Sequence, residues 1–364
     1  MGQWAKRDDT IVHQEDPYNA EPTPAALNHR PVTPLDTFYS RNHGPIQQLD
    51  PHTWRLDVDG LVDRPLTLSL ADLRQRFAQH SVVATLQCAG NRRAELSTVR
   101  PIPGQTLWGP AAISTAEWTG AALADVLGAA GLHQRGRHVA FVEADATARP
   151  DGVALFGGSI PMAKATAGEV LLAWQMNGVP LPVVHGAPVR VVVPGYIGAR
   201  SVKWLRRITV QEHCSDNYFQ AGDYRLLPAD ADPAEAAAGH GLPLGVAALN
   251  AAILTPDQGQ SLPAGPVRVS GYACAGEDRE VARVDVSVDG GQRWRQADLG
   301  TAPGPWAWRL WQLVVDLAPG PVKITARAWD SSATCQPERP EHLWNPLGYM
   351  NTAWSRVNVT CTAR

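Results

Sequence analysis

After Leu227 the chain reads Pro-Ala-Asp-Ala-Asp-Pro-Ala-Glu-Ala-Ala-Ala-Gly-His-Gly before returning to Leu242, a stretch without a large apolar side chain. Such a segment has nothing to anchor a packed element, so it reads as a connector dividing two differently patterned regions. Beyond it, Val267–Tyr272, Val281–Val288, Trp306–Leu313 and Val322–Trp329 alternate at period two, and Asp289-Gly290-Gly291 is a hairpin turn signal. Several short strands and almost no helix in roughly 120 residues predict a β-sandwich of immunoglobulin-like size. Before the connector the pattern is mixed. Trp54–Val58 alternates like a strand, Leu70–Phe77 and Ala121–Leu132 have helical spacing with Leu123, Val126, Leu127 and Ala130 on one face, and β-branched segments follow at 138–143, 170–174, 189–193 and 207–211. The expected class is therefore α+β over residues 1–240, followed by a sandwich over 241–364. Residues 1–50, with prolines at 17, 22, 24, 31, 34 and 45, read as an extended arm packed over the first domain rather than as helix or strand.

At 364 residues, 44% of them apolar, the chain can bury a sizeable core, and a formal net charge of −3 gives no long-range attraction to nucleic acid or an anionic membrane. No stretch is long and apolar enough for a membrane span, and the polar start, Met1 to Asp9, lacks a secretory apolar core, which places the protein in the cytoplasm, or in the periplasm if a leader has been removed. Of the 32 basic residues only Lys6, Lys164, Lys203 and Lys323 are lysine, so the planar, bidentate arginine fork dominates; genome composition would have the same effect. Five cysteines at 88, 214, 274, 335 and 361 are widely spaced and make no Cys-x-x-Cys, which indicates neither a disulfide scaffold nor a zinc site. Trp294, Trp306, Trp308, Trp311 and Trp329 fit core or interface packing better than an exposed recognition patch.

The most informative segment is Val82-Val83-Ala84-Thr85-Leu86-Gln87-Cys88-Ala89-Gly90-Asn91-Arg92-Arg93, a buried strand ending in a cysteine, a Gly-Asn turn and two arginines. A thiol beside guanidinium groups is the setting in which a thiolate serves as nucleophile or as ligand to a soft metal, although a buried cysteine alone is usually a small core residue.

This segment resembles the cysteine motif of the sulfite oxidase family of molybdenum enzymes, which includes the eukaryotic assimilatory nitrate reductases. Further family-like signatures follow in order: Phe38-Tyr39-Ser40-Arg41-Asn42-His43, Trp108, Gly158-Ser159-Ile160-Pro161, His185-Gly186-Ala187-Pro188-Val189-Arg190 and Gly195 through Leu205. Trp344-Asn345-Pro346-Leu347-Gly348-Tyr349-Met350-Asn351 is similar to the family's dimerisation domain. The resemblance implies a sulfite-oxidase-type molybdopterin domain followed by an immunoglobulin-like β-sandwich dimerisation domain. It implies Cys88 as protein ligand to a pyranopterin-bound molybdenum. Cofactor contacts would come from Tyr39, Ser40, Arg41, Asn42, His43, Asp145, His185, Arg190, Ser201, Val202 and Lys203, the arginine forks and Gly-rich turns suiting a phosphate. Arg41 and Arg93 would supply positive charge to an oxyanion, Trp108 would shape the pocket and Tyr224 would donate a phenolic hydrogen bond.

Taken singly, several of these residues have ordinary alternatives. His185 could be a satisfied loop histidine, Arg190 a buried ion-pair partner, Lys203 a cation lying over Trp204, and Trp108 and Tyr224 simple packing. The implied activity is oxidation of sulfite to sulfate, with electrons leaving to a separate protein such as a cytochrome c, since no haem, flavin or nicotinamide region is evident. A homodimer is the implied assembly. Leu347 stands where the sulfite oxidases carry arginine, closer to the nitrate reductase pattern, which keeps open a reductase of nitrate or another oxyanion or S-oxide on the same centre.

Overall fold

The computed structural model describes the backbone of residues 3–149 and 152–363 and the side chains of 4–144 and 155–363. The first half is built on two five-stranded sheets. In one, Gln79–Gln87, Ile113–Ala122, Leu171–Met176 and Val179–Pro180 lie antiparallel in that order, and Arg190–Val192 also pairs with Leu171–Met176. Every residue of Ile113–Ala122 except Glu117 is buried, so this strand has protein on both faces. Gly120 is required there, because a Cβ would sit 2.0 Å from the carbonyl oxygen of Leu172.

The second sheet runs Leu66–Leu68, Leu56–Gly60, Leu205–Gln211, His138–Arg149, Gly152–Pro161, with Leu56–Gly60 parallel to Leu205–Gln211 and the other pairs antiparallel. Helix Leu123–Ala130 buries Leu123, Val126, Leu127 and Ala130, the face its spacing predicts. Helix Leu70–Arg76 begins with a capping box in which Ser69 and Asp72 satisfy each other's backbone N–H.

The C-terminal half is the expected sandwich. A four-stranded sheet, Asn250–Thr255, Gly265–Cys274, Arg309–Leu317, Asp298–Leu299, faces a five-stranded one, Ser261–Pro263, Ser355–Thr362, Gly320–Asp330, Val281–Ser287, Arg295–Gln296. Between them lies a core that includes Val269, Val284, Trp311, Val315, Ile324 and Val359.

Two local expectations differ from the structure. The arm is not wholly extended: Ile11–Gln14 pairs with Asn19–Glu21, and Thr23 caps the single turn Pro24–Leu27. Glu21 fixes that hairpin, its carboxylate accepting from the N–H groups of Gly109 and Ala111 at 2.6 and 3.0 Å. The strand expected from Trp306 begins instead at Arg309, because Trp308 is used in docking the two halves. Its N–H donates to Thr85 Oγ1 at 2.8 Å and its indole N–H to the Pro31 carbonyl at 2.7 Å. Of the five tryptophans, Trp308 and Trp311 are buried in interface and core, whereas Trp294, Trp306 and Trp329 are half-buried. All five cysteines are free, and among the described residues no helix is long and apolar enough to cross a membrane.

Candidate active site

Cys88 is the first residue beyond the strand Gln79–Gln87, and its N–H is held by the Ala112 carbonyl at 2.9 Å. The residue is 6% exposed and lines a cleft with about 660 Å³ of empty space. Tyr39, Ser40, Arg41, Asn42 and His43 form one wall, pinned where Ser40 and Ala20 exchange backbone hydrogen bonds of 2.8 and 2.9 Å. His185 comes from the turn Val183–His185, Arg190 from the start of Arg190–Val192, Ser201 and Lys203 from the segment after Gly198–Arg200, and Tyr224 from the turn after Phe219–Asp223. Close approach is built in at Gly186 (φ +107°), where a Cβ would lie 2.8 Å from Lys203 Cβ.

Cations crowd this cleft, and backbone carbonyls hold most of them. Arg190, 4% exposed, donates to the carbonyls of His185 and Ser201 at 2.9 and 2.8 Å and lies 4.9 Å over the Trp118 ring. Among the described residues it has no ion-pair partner, and burial lowers its pKa to about 10. Lys203 donates to Asn42 Oδ1 and to the carbonyls of Arg41 and Val184 at 3.1 and 3.3 Å; it also lies 4.4 Å over Trp204, so it makes the cation–π contact while facing the cleft. Loss of solvent, then Arg190, pushes Lys203 well below the usual lysine range, with Glu143 acting in the opposite sense.

His43 is held well below the usual histidine range by loss of solvent and then by Arg41 and Lys203, which makes it a neutral imidazole. Its Nε2 lies 2.9 Å from the Tyr224 hydroxyl and its ring stacks on Phe156 at 4.5 Å. Burial raises the Tyr224 phenol, so it stays protonated and can donate. Arg41 donates to the Asn42 carbonyl and to Asn19 Oδ1 at 3.3 Å. Although loss of solvent acts against its charge, Tyr224, Cys88, Tyr349 and Asp223 outweigh that and raise it.

Three expected residues lie off the cleft wall, and the side chain of a fourth is outside the described residues. Arg93 is not on the cleft wall: its guanidinium donates to the Thr106 and Gly348 carbonyls at 2.8 and 3.3 Å and lies 5.0 Å from the Tyr349 ring, which itself stacks on Tyr224. Trp108 is fully buried in the apolar cluster that contains Cys88, with its ring edge against His13 at 4.9 Å and its indole N–H without a partner. Val202 points into the main core. Asp145 lies on His138–Arg149, but its side chain is outside the described residues.

Three groups were not foreseen. Lys6, 2% exposed, reaches from the arm to donate to the Leu35 and Phe38 carbonyls, both at 2.7 Å, and approaches His185 Nε2 at 2.9 Å. Glu143 is buried on the cleft wall and accepts from the Phe156 N–H at 2.8 Å. Asp223, whose pKa burial raises, accepts from the Tyr349 hydroxyl at 3.3 Å. Lys6 lies outside the motifs, whereas Asp223 is the neighbour of Tyr224 and Glu143 lies two residues before Asp145, so sequence proximity to those candidates was the available signal.

The donor set fits an anionic organic ligand carrying a soft metal. Cationic side chains converge on a cleft with a single thiol, Ser40 Oγ is buried beside it without a partner, and among the described residues no three His, Cys, Asp or Glu side chains gather to hold a metal by themselves. A mixed-sheet domain with such a cleft, joined to a β-sandwich, defines a cofactor-dependent oxidoreductase. Residues 43–219 match the oxidoreductase molybdopterin-binding domain and residues 245–362 the Mo-co oxidoreductase dimerisation domain. Over 95% of its length the chain is 46% identical to sulfite oxidase of Gallus gallus, covering 76% of that protein; it spans 65% of the length of the mammalian sulfite oxidases. It is 38% identical to nitrate reductase of Hordeum vulgare, over 98% of the chain and 42% of that protein. The crystal structure of the sulfane dehydrogenase SoxCD from Paracoccus pantotrophus superposes with a TM-score of 0.82 at 27% identity, covering 98% of this chain and 88% of that one. The chain belongs to the sulfite oxidase family of molybdopterin oxidoreductases.

Proposed function

We propose that this protein oxidises sulfite to sulfate at a molybdenum–pyranopterin bound through Cys88 and passes the electrons to a separate acceptor protein of the cytochrome c kind. When bound, that group supplies oxygen transfer and two-electron storage. Cys88 is the metal's protein ligand. Arg190 and Lys203, with His185, Ser40, Asn42, Tyr39 and Ser201, hold the anionic organic part, to which Asp145 and Val202 also belong by sequence position. Arg41, Arg190 and Lys203 outnumber Glu143, the one carboxylate among the described residues of the cleft wall, and backbone carbonyls supply only dipoles, so an anion offsets the remaining charge.

Arg41 and Tyr224 bind the substrate. Arg41 remains a cation throughout the working pH range, and Tyr224, kept protonated by burial, donates its hydroxyl proton to a sulfite oxygen. The neutral His43, 2.9 Å from that hydroxyl, orients it. Arg93 acts behind them, through the Tyr349 ring. The sandwich domain joins two copies into a homodimer.

The observation that carries this reading is the convergence of Cys88, Arg41 and Tyr224 on one cleft that Arg190 and Lys203 also line. The molybdenum-loaded protein should be reduced by sulfite alone, seen as a change in its visible absorption; loaded protein that responds only to an added reductant would overturn the proposal.

That second outcome belongs to the reductase reading, which Leu347 favours. Its side chain is 6% exposed within the main apolar core, so the position offers an anion no charge. One missing charge-assisted bond costs about 1.5–3 kcal/mol, roughly one to two powers of ten in affinity. Leu347→Arg should lower KM for sulfite; an unchanged KM would remove this account of the position.

A further inference from the structure

The turn Gly198–Arg200 has two sides. Gly198, Ala199 and Ser201 line the cofactor cleft, whereas Arg200 lines a separate surface depression with about 880 Å³ of empty space. Arg200 is only 2% exposed, and the ionisable groups acting on it are Tyr224, Cys214 and Tyr196, with no carboxylate among them. Its Nη2 donates to the Leu244 carbonyl, while Nη1 is buried with no hydrogen-bond partner. Among the described residues this guanidinium is a buried charge without a counter-charge, an arrangement that proteins otherwise avoid. His138, on the same depression, also has an unpartnered ring nitrogen, Nδ1. Pro161, Leu244 and Val246 give the wall an apolar stretch, and a second guanidinium on it, Arg225, is already engaged by the carbonyls of Ala221, His240 and Gly241.

We propose that this depression binds a small organic anion, a sulfonate or carboxylate with an apolar body, whose charged head pairs with Arg200 while its body lies against Pro161, Leu244 and Val246. The apolar wall strengthens the charge pairing by excluding water and makes a bare inorganic anion the poorer ligand. The site is separate from the substrate cleft.

Cys214 is an exposed thiol lining the depression, so it reports occupancy locally and independently of turnover. The full-length, molybdenum-loaded protein is treated with iodoacetamide, and alkylation at Cys214 is followed by peptide mass spectrometry with benzenesulfonate, with sodium sulfate at matched ionic strength, or with neither. Benzenesulfonate is expected to slow alkylation at least threefold, and sulfate to slow it less. The ratio of rates with and without benzenesulfonate should return to one in Arg200→Met. Should that variant not fold, Val246→Trp at the exposed rim fills the same space and should also abolish protection. No protection in the wild type, equal protection by sulfate, or protection that survives in a folded Arg200→Met or in Val246→Trp would overturn the proposal.

Discussion

Buried charge is handled differently in the sandwich and around the cofactor cleft and its neighbouring depression, although elsewhere in the first half the fully buried Arg92 pairs with Glu95 at 2.7 Å. In the sandwich, Asp285 has a fully buried side chain and accepts from Arg283 Nε at 2.5 Å, and from Arg327 Nε and Trp329 Nε1, both at 3.2 Å. Asp330, equally buried, accepts from Arg279 and from the hydroxyl and N–H of Ser332. In the first half, Lys6, Arg190 and Arg200 are as deeply buried, yet carbonyl oxygens are their main acceptors. Paired buried charge fixes a register. Carbonyl-held cations leave net positive charge, which an anionic ligand neutralises. The buried carboxylates of the sandwich are thus paired within it, whereas the cleft at Arg190 and the depression at Arg200 are built toward a ligand.

The comparison breaks first at Cys88. Cys88→Ser should abolish sulfite turnover while leaving the circular dichroism spectrum intact, because the residue's backbone contacts do not involve its sulfur; retained turnover would show that the thiol is only packing. The next effect lies in the sandwich. Asp285→Ala should cost about 3 kcal/mol, the lower end for a broken buried pair, because Arg283 and Arg327 keep access to water. Denaturant unfolding measures it, and an unchanged midpoint would contradict the structural role. Within the cleft, Arg41→Met should lower kcat/KM for sulfite by about 10- to 100-fold, the loss of a charge-assisted bond of ~1.5–3 kcal/mol. An equal loss in Arg93→Met would erase the distinction drawn between the residue on the wall and the one behind Tyr349.

The smallest effect concerns pH. His43 and His185 both titrate well below 6.5 in the folded protein, His185 through burial and then Lys6, Lys203 and Arg190. Below pH 6.5 the unfolded chain takes up protons that the folded one refuses, so stability falls as pH drops through that value. Lys6, lowered by burial to about 7, acts in the same direction at higher pH: between about 7 and 10.5 only the unfolded chain is protonated there, and stability rises with pH. Unfolding midpoints at pH 8 and pH 5.5 should differ less in His43→Gln, His185→Gln than in the wild type.

Much of this was legible in sequence, because local signals and tertiary placement coincide. The helix Leu123–Ala130 and a strand leading to Cys88 follow directly from apolar spacing, but that strand is not the buried one expected: of Gln79–Gln87 only Ala84 and Leu86 are buried. The cleft wall around Tyr39–His43 and Arg190–Lys203 was marked by motifs. What escaped reading reaches the site from elements that carry no period. Lys6 lies on an irregular arm and meets His185 across 179 positions of sequence. Adjacency to Cys88 says nothing about side-chain direction: the turn at Arg92 (φ 64°) sends its guanidinium to Asn250 of the sandwich and that of Arg93 to Tyr349. Likewise Trp308 alternates like a strand residue but is spent on the interface.

The central claim is that the Cys88 sulfur is bonded to molybdenum. X-ray absorption at the molybdenum edge of the loaded protein, wild type against Cys88→Ser, tests it without reference to turnover. One sulfur fewer around the metal in the variant is the predicted result; the same sulfur count in both proteins would contradict it.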